Sequence, residues 1–298
     1  MTLFDRLVDE ALRAQTDLAP LRPVVEKELL HHDILRELAE AGLLHRLTFI
    51  GGTCLRACYG SHRLSEDLDF TGGADFDRAT LSGLGPLLVE RLAAKYGLAV
   101  SVSEPLREAG LVDTWKMRVI TRPERRDLPA QHINIDICAV PSHDPRPLLL
   151  RNSYGVDLGT GGLILQAESR EEILADKLLA LALRPNRLKY RDLWDIGWLV
   201  QQGIQPPLGL IPLKIADHRW TLSEFQQRLV ERKRQLLQDE DLRKGFSLEI
   251  SRFLPPNRVV ETVGNPAFWV WLTHLIADLC TQAERSLSGE TAPATFLM

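Results

Sequence analysis

Hydrophobic and polar residues follow two different periods, and these divide the chain into a front and a back half. Short apolar segments predict strands in the front half over 47–50, 68–70 and 98–102, and alternation with period two predicts strands over 115–121 and 132–140. Helical spacing predicts helices among them, over 24–44 and 79–95. After three prolines between 141 and 147 the strand signal weakens, and helices are predicted over 170–183, 190–202, from 221 and over 267–285. The pattern predicts an α+β domain at 1–145, including N-terminal helices, and a helical domain at 146–298.

Composition and charge narrow the class of protein. The 298 residues include 40 acidic and 36 basic side chains, a net charge of −4, which excludes a uniformly basic coat but not a local basic groove. Four cysteines at irregular spacings favour a reducing compartment over a disulfide framework. The first residues do not resemble a signal peptide, and the apolar run at 268–279 is too short to cross a bilayer. We therefore expect a cytoplasmic protein with no membrane partner.

One of three Asp-x-Asp pairs stands out by its context. Asp67 and Asp69 lie within an apolar strand pattern, so they project from one strand face, close enough to share a cation. The pairs at 75 and 77 and at 239 and 241 lie in polar segments and are interpreted as solvated. A third carboxylate, Asp136, alternates with isoleucines in the strand over 132–140, where it is either a further metal ligand or an ordinary half-exposed acid.

A glycine pair precedes the first Asp-x-Asp pair. Gly51 and Gly52 interrupt the chain after a predicted strand, and a predicted helix begins at Thr53. Glycines at this point allow a ligand to approach the backbone closely. A phosphate cradle beside two carboxylates suits magnesium–nucleotide chemistry, because Mg²⁺ bridges carboxylates and phosphate oxygens. The alternative is a simple tight turn beside a surface acid pair.

The helical half contains a lysine and two acids on apolar helix faces. Lys177 shares a side of its helix with leucines and isoleucine, so it either extends to the edge of the core or reaches an anionic ligand. Asp192 and Asp195 are three residues apart and share a face with Ile196. Carboxylates on an apolar face need cationic partners or a polar cleft, and the candidate partners are Lys177 and the preceding arginines.

In this order the motifs resemble the AbiEii-type nucleotidyltransferase toxins, within the DNA polymerase β-like nucleotidyltransferase superfamily. The resemblance rests on Gly51-Gly52-Thr53, then Arg63-x-Ser65-x-Asp67-x-Asp69, then Glu171-Glu172-x-x-x-Asp176-Lys177, then Arg191-Asp192-x-x-Asp195, and it covers about residues 45 to 200. It implies a small mixed or antiparallel nucleotidyltransferase sheet flanked by helices, followed by a helical domain that completes the active-site cleft.

The resemblance also implies roles for individual residues. Gly51, Gly52, Thr53, Arg63 and Ser65 would belong to the nucleotide-binding segment. The metal ions, Mg²⁺ or alternatively Mn²⁺, would bind Asp67, Asp69 and Asp136. Lys177 would contact the nucleotide phosphates, and Asp192 and Asp195 would complete the catalytic site.

The implied activity is transfer of a nucleotide from an NTP to an RNA 3′-hydroxyl, with the tRNA acceptor end as the expected target and a block of translation as the result. A cognate antitoxin encoded next door is the expected protein partner. Basic runs at 184–191 and 228–234 fit an RNA acceptor, although solvated helix faces are a simpler explanation. Two alternatives remain open: a nucleotidyltransferase acting on a small molecule such as an aminoglycoside, and a non-catalytic nucleotide- or RNA-binding module.

Overall fold

The described residues form two compact units. We describe the protein from a computed structural model over residues 2–105, 110–125, 127–185, 187–239 and 241–289. The first unit lies within Met1–Glu168 and Phe253–Asn257, and the second lies within Ser169–Arg252 and Arg258–Met298. The predicted boundary at residue 145 precedes two strands that the prediction missed, and these strands extend the first unit to Glu168.

A mixed seven-stranded sheet forms the centre of the first unit. Its strands are β1 Thr48–Ile50, β2 Leu68–Thr71, β3 Ala99–Ser103, β4 Val112–Ile120, β5 Gln131–Cys138, β6 Pro145–Leu149 and β7 Ile164–Glu168. They lie in the order β3-β4-β5-β2-β1-β7-β6, with β2–β5 and β1–β7 parallel and the remaining pairs antiparallel. The expected α+β class with a mixed sheet and flanking helices is therefore confirmed.

Four helices accompany the sheet: α1 Leu3–Ala14, α2 Arg22–Glu40, α3 Gly51–Ala57 and α4 Leu84–Tyr96. Helix α2 packs against β5 and α4, and it is the most buried helix of this unit. Helix α3 begins at Gly51, two residues before the predicted start. Because strand side chains alternate, Trp115, Met117 and Ile135 enter the core while the residues between them face the other way.

The second unit is helical, as predicted. Its helices are α5 Arg170–Leu183, α6 Tyr190–Gln201, α7 Ile211–Asp217, α8 Leu222–Gln238, α9 Asp241–Ile250 and α11 Pro266–Leu287, and α10 Pro256–Glu261 begins within the segment assigned to the first unit. Ser169 caps α5 by accepting a hydrogen bond from the N–H of Glu172, as the sequence predicts. Thr221 and Glu224 form a reciprocal capping box at the start of α8.

A cluster of aromatic rings surrounds the buried Phe246 in the second unit. Phe246 contacts Tyr190 edge-on, at 6.3 Å between ring centroids, stacks on Phe268 and lies at a tilted angle to Trp269, the last two from α11. These contacts fix α6, α9 and α11 relative to one another. Within the described ranges, the search for a helix both long enough and apolar enough to span a membrane found none.

Candidate active site

Three carboxylates lie on one face of the central strands. Asp69 on β2 is the register partner of Asp136 on β5, and the segment before β2 places Asp67 opposite Asn134. One carboxylate oxygen of Asp67 accepts a hydrogen bond from the backbone N–H of Asn134 at 2.9 Å. All three acids are half-buried, whereas Leu68 and Phe70 between them are buried in the core. The structure therefore brings together the three predicted acids of this unit.

Gly51 lies against the carboxylate of Asp69. Ile50 on β1 pairs with Asp69 on β2, so the residue after Ile50 reaches the same end of the sheet. A Cβ atom at Gly51 would lie 2.8 Å from Asp69 Oδ2, and the backbone φ of Gly51 is +76°. Both the space and the conformation therefore require glycine at this position.

The Thr53 hydroxyl connects the glycine turn to the Asp-x-Asp segment. Thr53 is buried in α3, and its Oγ1 lies 2.6 Å from the hydroxyl of Ser65 and hydrogen-bonds the backbone carbonyl of Asp67. Its side chain thus fixes the position of the loop before β2. Ser65 is also buried. The hydroxyls of Thr53 and Ser65 are therefore both hydrogen-bonded within the protein.

A buried carboxylate on α2 supports this loop from behind. Glu28 Oε1 accepts a hydrogen bond from the backbone N–H of Ser65 at 2.8 Å. Glu28 Oε2 lies 3.1 Å from Arg56 Nε and also accepts a hydrogen bond from the hydroxyl of Tyr154. Glu28, Arg56 and Tyr154 were not predicted as site residues from the sequence. The helical pattern of α2 offered a signal, since Glu28 falls on the buried face beside Leu29. Arg63 is buried as well, and its guanidinium donates to the carbonyl of Leu64 at 3.0 Å.

In the second unit, Lys177 on α5 is bound to two aspartates of α6. Its Nζ lies 2.7 Å from Asp192 Oδ1 and 3.0 Å from Asp195 Oδ2, and Arg184 reaches the other oxygen of Asp192 at 3.2 Å. Lys177 is 9 % exposed and Asp195 is fully buried. The predicted cationic partners of the two acids are thus those found.

The surroundings of Asp192 hold it ionised. Burial alone would raise the pKa of its carboxyl, but the positive charges of Lys177, Lys189 and Arg184 outweigh that effect and lower the pKa to about 2. Burial lowers the pKa of Lys189 itself. Asp192 is therefore a buried, ionised carboxylate that is stabilised by the neighbouring cations.

A second buried lysine, Lys214 on α7, pairs with two acids of α5. Lys214, only 1 % exposed, lies 2.6 Å from Glu172 and 2.9 Å from Asp176, so two acids of the Glu171–Lys177 motif have a structural partner. The sequence analysis missed Lys214. Its signal was a lone lysine between Leu213 and Ile215 in a helical pattern.

The basic run on α8 is partly engaged by protein groups. The Arg228 guanidinium lies 4.7 Å above the Trp220 ring, Arg232 donates to the carbonyl of Arg184, and Lys233 pairs with Glu284 at 2.7 Å. These contacts favour a structural role for this run.

Among the residues that the structure describes, no three or more His, Cys, Asp or Glu side chains are already arranged to hold a metal ion.

Comparison with known proteins decides the family. The family model described as the nucleotidyltransferase AbiEii toxin of type IV toxin–antitoxin systems matches residues 33–274, most of the chain. The protein belongs to the AbiEii family. It is therefore a nucleotidyltransferase toxin of a type IV toxin–antitoxin system, for which the family implies a nucleoside triphosphate substrate and a cognate antitoxin. The matched region includes every predicted site residue of this AbiEii member.

The solved structure of a bacterial toxin shows the same fold. MenT4, a nucleotidyltransferase toxin from Mycobacterium tuberculosis H37Rv, is 18 % identical with a TM-score of 0.58, and the match covers 96 % of this chain and 99 % of MenT4. JHP933 from Helicobacter pylori is 16 % identical with a TM-score of 0.45, over 90 % of this chain and 94 % of JHP933. A comparison with curated proteins gives no match.

Proposed function

We propose that this AbiEii-family protein transfers a nucleoside monophosphate from an NTP to the 3′-hydroxyl of an RNA, with the tRNA acceptor end as its target. The observation that carries the proposal is the row of Asp67, Asp69 and Asp136 beside Gly51. A tRNA with an altered acceptor end no longer serves translation, which accounts for toxicity. Since NTPs and tRNA meet in the cytoplasm, we place the reaction there.

The three carboxylates would supply the oxygen ligands of a divalent cation. Oxygen ligands are those that Mg²⁺ prefers, and Mn²⁺ accepts the same set. The hydrogen bond from Asn134 occupies one site on Asp67 and leaves this carboxylate with further lone pairs. Asp67, Asp69 and Asp136 would hold the ion, which when bound lowers the pKa of the attacking hydroxyl and neutralises charge on the triphosphate.

The remaining residues position the reactants. In the reaction, the RNA 3′-oxygen forms a bond to the α-phosphorus, and the bond from that phosphorus to pyrophosphate breaks. We assign the triphosphate to the backbone of Gly51 and Gly52, next to the Asp69 carboxylate that fills the space a side chain at Gly51 would need. Thr53, Ser65 and Arg63 contribute by holding this segment in place through the buried contacts described above.

Lys177 is assigned to the nucleotide phosphates, with Asp192 and Asp195 as the acids that hold its ammonium group. In this assignment a phosphate competes with Asp192 and Asp195 for Lys177, since both contacts are already short. Replacing Lys177 by alanine should therefore weaken nucleotide binding. Unchanged affinity for NTP would leave Lys177 with the structural pairing alone.

The reaction is tested by following the label from two forms of each NTP. Purified protein is incubated with total RNA, Mg²⁺ and NTP labelled at either the α- or the γ-phosphate. We expect the α-label to enter RNA of tRNA size and the γ-label to leave as pyrophosphate. Label transferred to no RNA but to an aminoglycoside would support a small-molecule acceptor, and no transfer with either acceptor would support a binding module.

A further inference from the structure

Strands β3, β4 and β5 present a polar face that continues from the carboxylate row. The residues on this face are register partners: Lys116 pairs with Asn134 and Ser103, and Arg118 pairs with His132 and Ser101. Cross-strand partners lie on the same side of a sheet. We call this surface the basic face; it consists of Ser101, Ser103, Lys116, Arg118, His132 and Asn134.

The basic face is exposed apart from the half-buried Asn134. Lys116 and Arg118 are exposed, whereas the alternate residues Trp115, Met117 and Val119 are buried on the other side. Among the residues that the structure describes, neither Lys116 nor Arg118 has an ion-pair partner. The six residues of the basic face include no acid. Two unpaired cations with serines and an asparagine match the side chains that proteins use to contact phosphate and sugar groups.

The strand order places this face on a definite side of the carboxylates. Strand β2, with Asp67 and Asp69, lies between β1 and β5, and β4 follows β5. The glycine turn after β1 and the basic face on β4 therefore lie on opposite sides of the acids. With neighbouring strands about 4.8 Å apart, Lys116 stands roughly 10 Å from Asp67 across the sheet.

We infer that the basic face binds the phosphate backbone of the RNA acceptor and directs its 3′ end to the carboxylates. The inference rests on the proposed function, because it takes the glycine turn as the site of the NTP. In-line transfer needs the attacking and leaving oxygens on opposite sides of the α-phosphorus, and the two sides of the carboxylate row provide this arrangement. The basic face lacks an aromatic side chain, so it contacts the backbone of the RNA and tolerates different base sequences.

The test measures RNA binding directly, without NTP. Fluorescently labelled unfractionated tRNA is titrated with wild-type protein and with the double variant Lys116→Gln/Arg118→Gln, at 50 mM and 200 mM salt. The matched control is Arg6→Gln/Arg13→Gln, which removes two exposed charges from α1, a helix that packs on α2. A thermal melt of each variant checks that all three proteins are folded.

We expect the Lys116→Gln/Arg118→Gln variant to bind tRNA about tenfold more weakly than wild type. The slope of log binding constant against log salt concentration should be shallower by about 1.4. The control should bind tRNA like wild type. Equal tRNA affinity in both variants overturns the inference, as does wild-type protein that binds no tRNA. Wild-type protein that binds tRNA through this face but transfers no label refutes the proposed function and leaves the binding surface supported.

Discussion

Glu28 on α2 accepts a hydrogen bond from the backbone N–H of Ser65 at 2.8 Å, two residues before Asp67. The same carboxylate is held by Arg56 and Tyr154. The position of Asp67 therefore depends on a buried acid that does not belong to the carboxylate row. Because misplacing a reacting group by about 1 Å can cost about 100-fold in rate, this contact matters for turnover.

We predict that Glu28→Gln lowers the rate of nucleotide transfer by about tenfold or more, with little change in the KM for NTP. Asp33→Asn is the matched control, because Asp33 is equally buried on α2 but pairs with Lys95 and Arg36, away from the Ser65–Asp67 segment. Both variants should lose stability, by about 1–3 kcal/mol. Steady-state kinetics measures the rate of nucleotide transfer by each variant, and chemical denaturation measures its free energy of unfolding, so the two effects are separated. Equal loss of turnover in both variants would show that Glu28 acts only through stability.

Gly51 gives a second prediction that isolates one steric contact. Gly51→Ala places a Cβ 2.8 Å from Asp69 Oδ2, at a backbone φ of +76°. Gly97→Ala is the control: its φ is +65°, yet no heavy atom lies within 4 Å of the added Cβ. Each change should cost about 1 kcal/mol for the left-handed backbone. Only Gly51→Ala should abolish nucleotide transfer, and a fully active Gly51→Ala variant would separate the glycine turn from the active site.

The fold was predictable where local pattern decides it and less so where distant pairing does. Strands β2, β4 and β5 alternate strongly, and the helices of the second unit have clear caps at Ser169 and Thr221. Strands β6 and β7 were missed, because the prolines of β6 resemble a linker and the sequence of β7 has no clear alternation of apolar and polar residues. Their strand conformation depends on pairing with each other and with β1, a partner more than a hundred residues away.

The candidate site shows the same division. Asp67, Asp69 and Asp136 were found because alternation in a strand puts them on a polar face, and the register of β2 and β5 then makes them neighbours. Glu28 and Lys214 were missed, since a buried charge is recognisable only when its partners are known. Their partners, the Ser65 backbone for Glu28 and Glu172 for Lys214, come from other elements.

The charge cluster on α5 and α6 predicts a specific acid sensitivity. The pKa of Asp192 is lowered from 3.8 to about 2, so its ionised form stabilises the folded state by about 2 kcal/mol at pH 7. A lowered carboxyl pKa gives stability that is present above pH 4 and is lost as the pH falls toward 2. We predict that Asp192→Asn loses at least this amount at pH 7 and about 1 kcal/mol less at pH 3. Denaturant titrations at both pH values measure the difference, and a pH-independent difference would contradict it.

His32 predicts a second pH effect, in the first unit. Burial lowers the pKa of His32 to about 4, against the opposing charge of Glu28, and its Nδ1 lies 3.0 Å from the hydroxyl of Thr160. Since the unfolded chain binds this proton near pH 6.5, stability should fall as the pH drops from 6.5 toward 4. The expected loss from His32 between pH 7 and pH 5 is about 2 kcal/mol.

His32→Gln should flatten this part of the stability curve, and the exposed His45, replaced in the same way, provides the control. Free energies of unfolding at pH 7, 6 and 5 decide the matter. If the His32→Gln and wild-type curves remain parallel over this range, the buried imidazole is not the titrating group.

We propose that Asp67 and Asp69 carry the nucleotidyl transfer of this AbiEii-family toxin. The most direct measurement compares transfer of α-labelled NTP to RNA by Asp69→Asn and by Asp75→Asn, two aspartates of the same unit of which Asp75 is exposed and paired with Arg46. We expect Asp69→Asn to remain folded and to lose at least a thousandfold in rate, roughly 4 kcal/mol, while Asp75→Asn transfers at the wild-type rate. Comparable turnover by the two variants would contradict it.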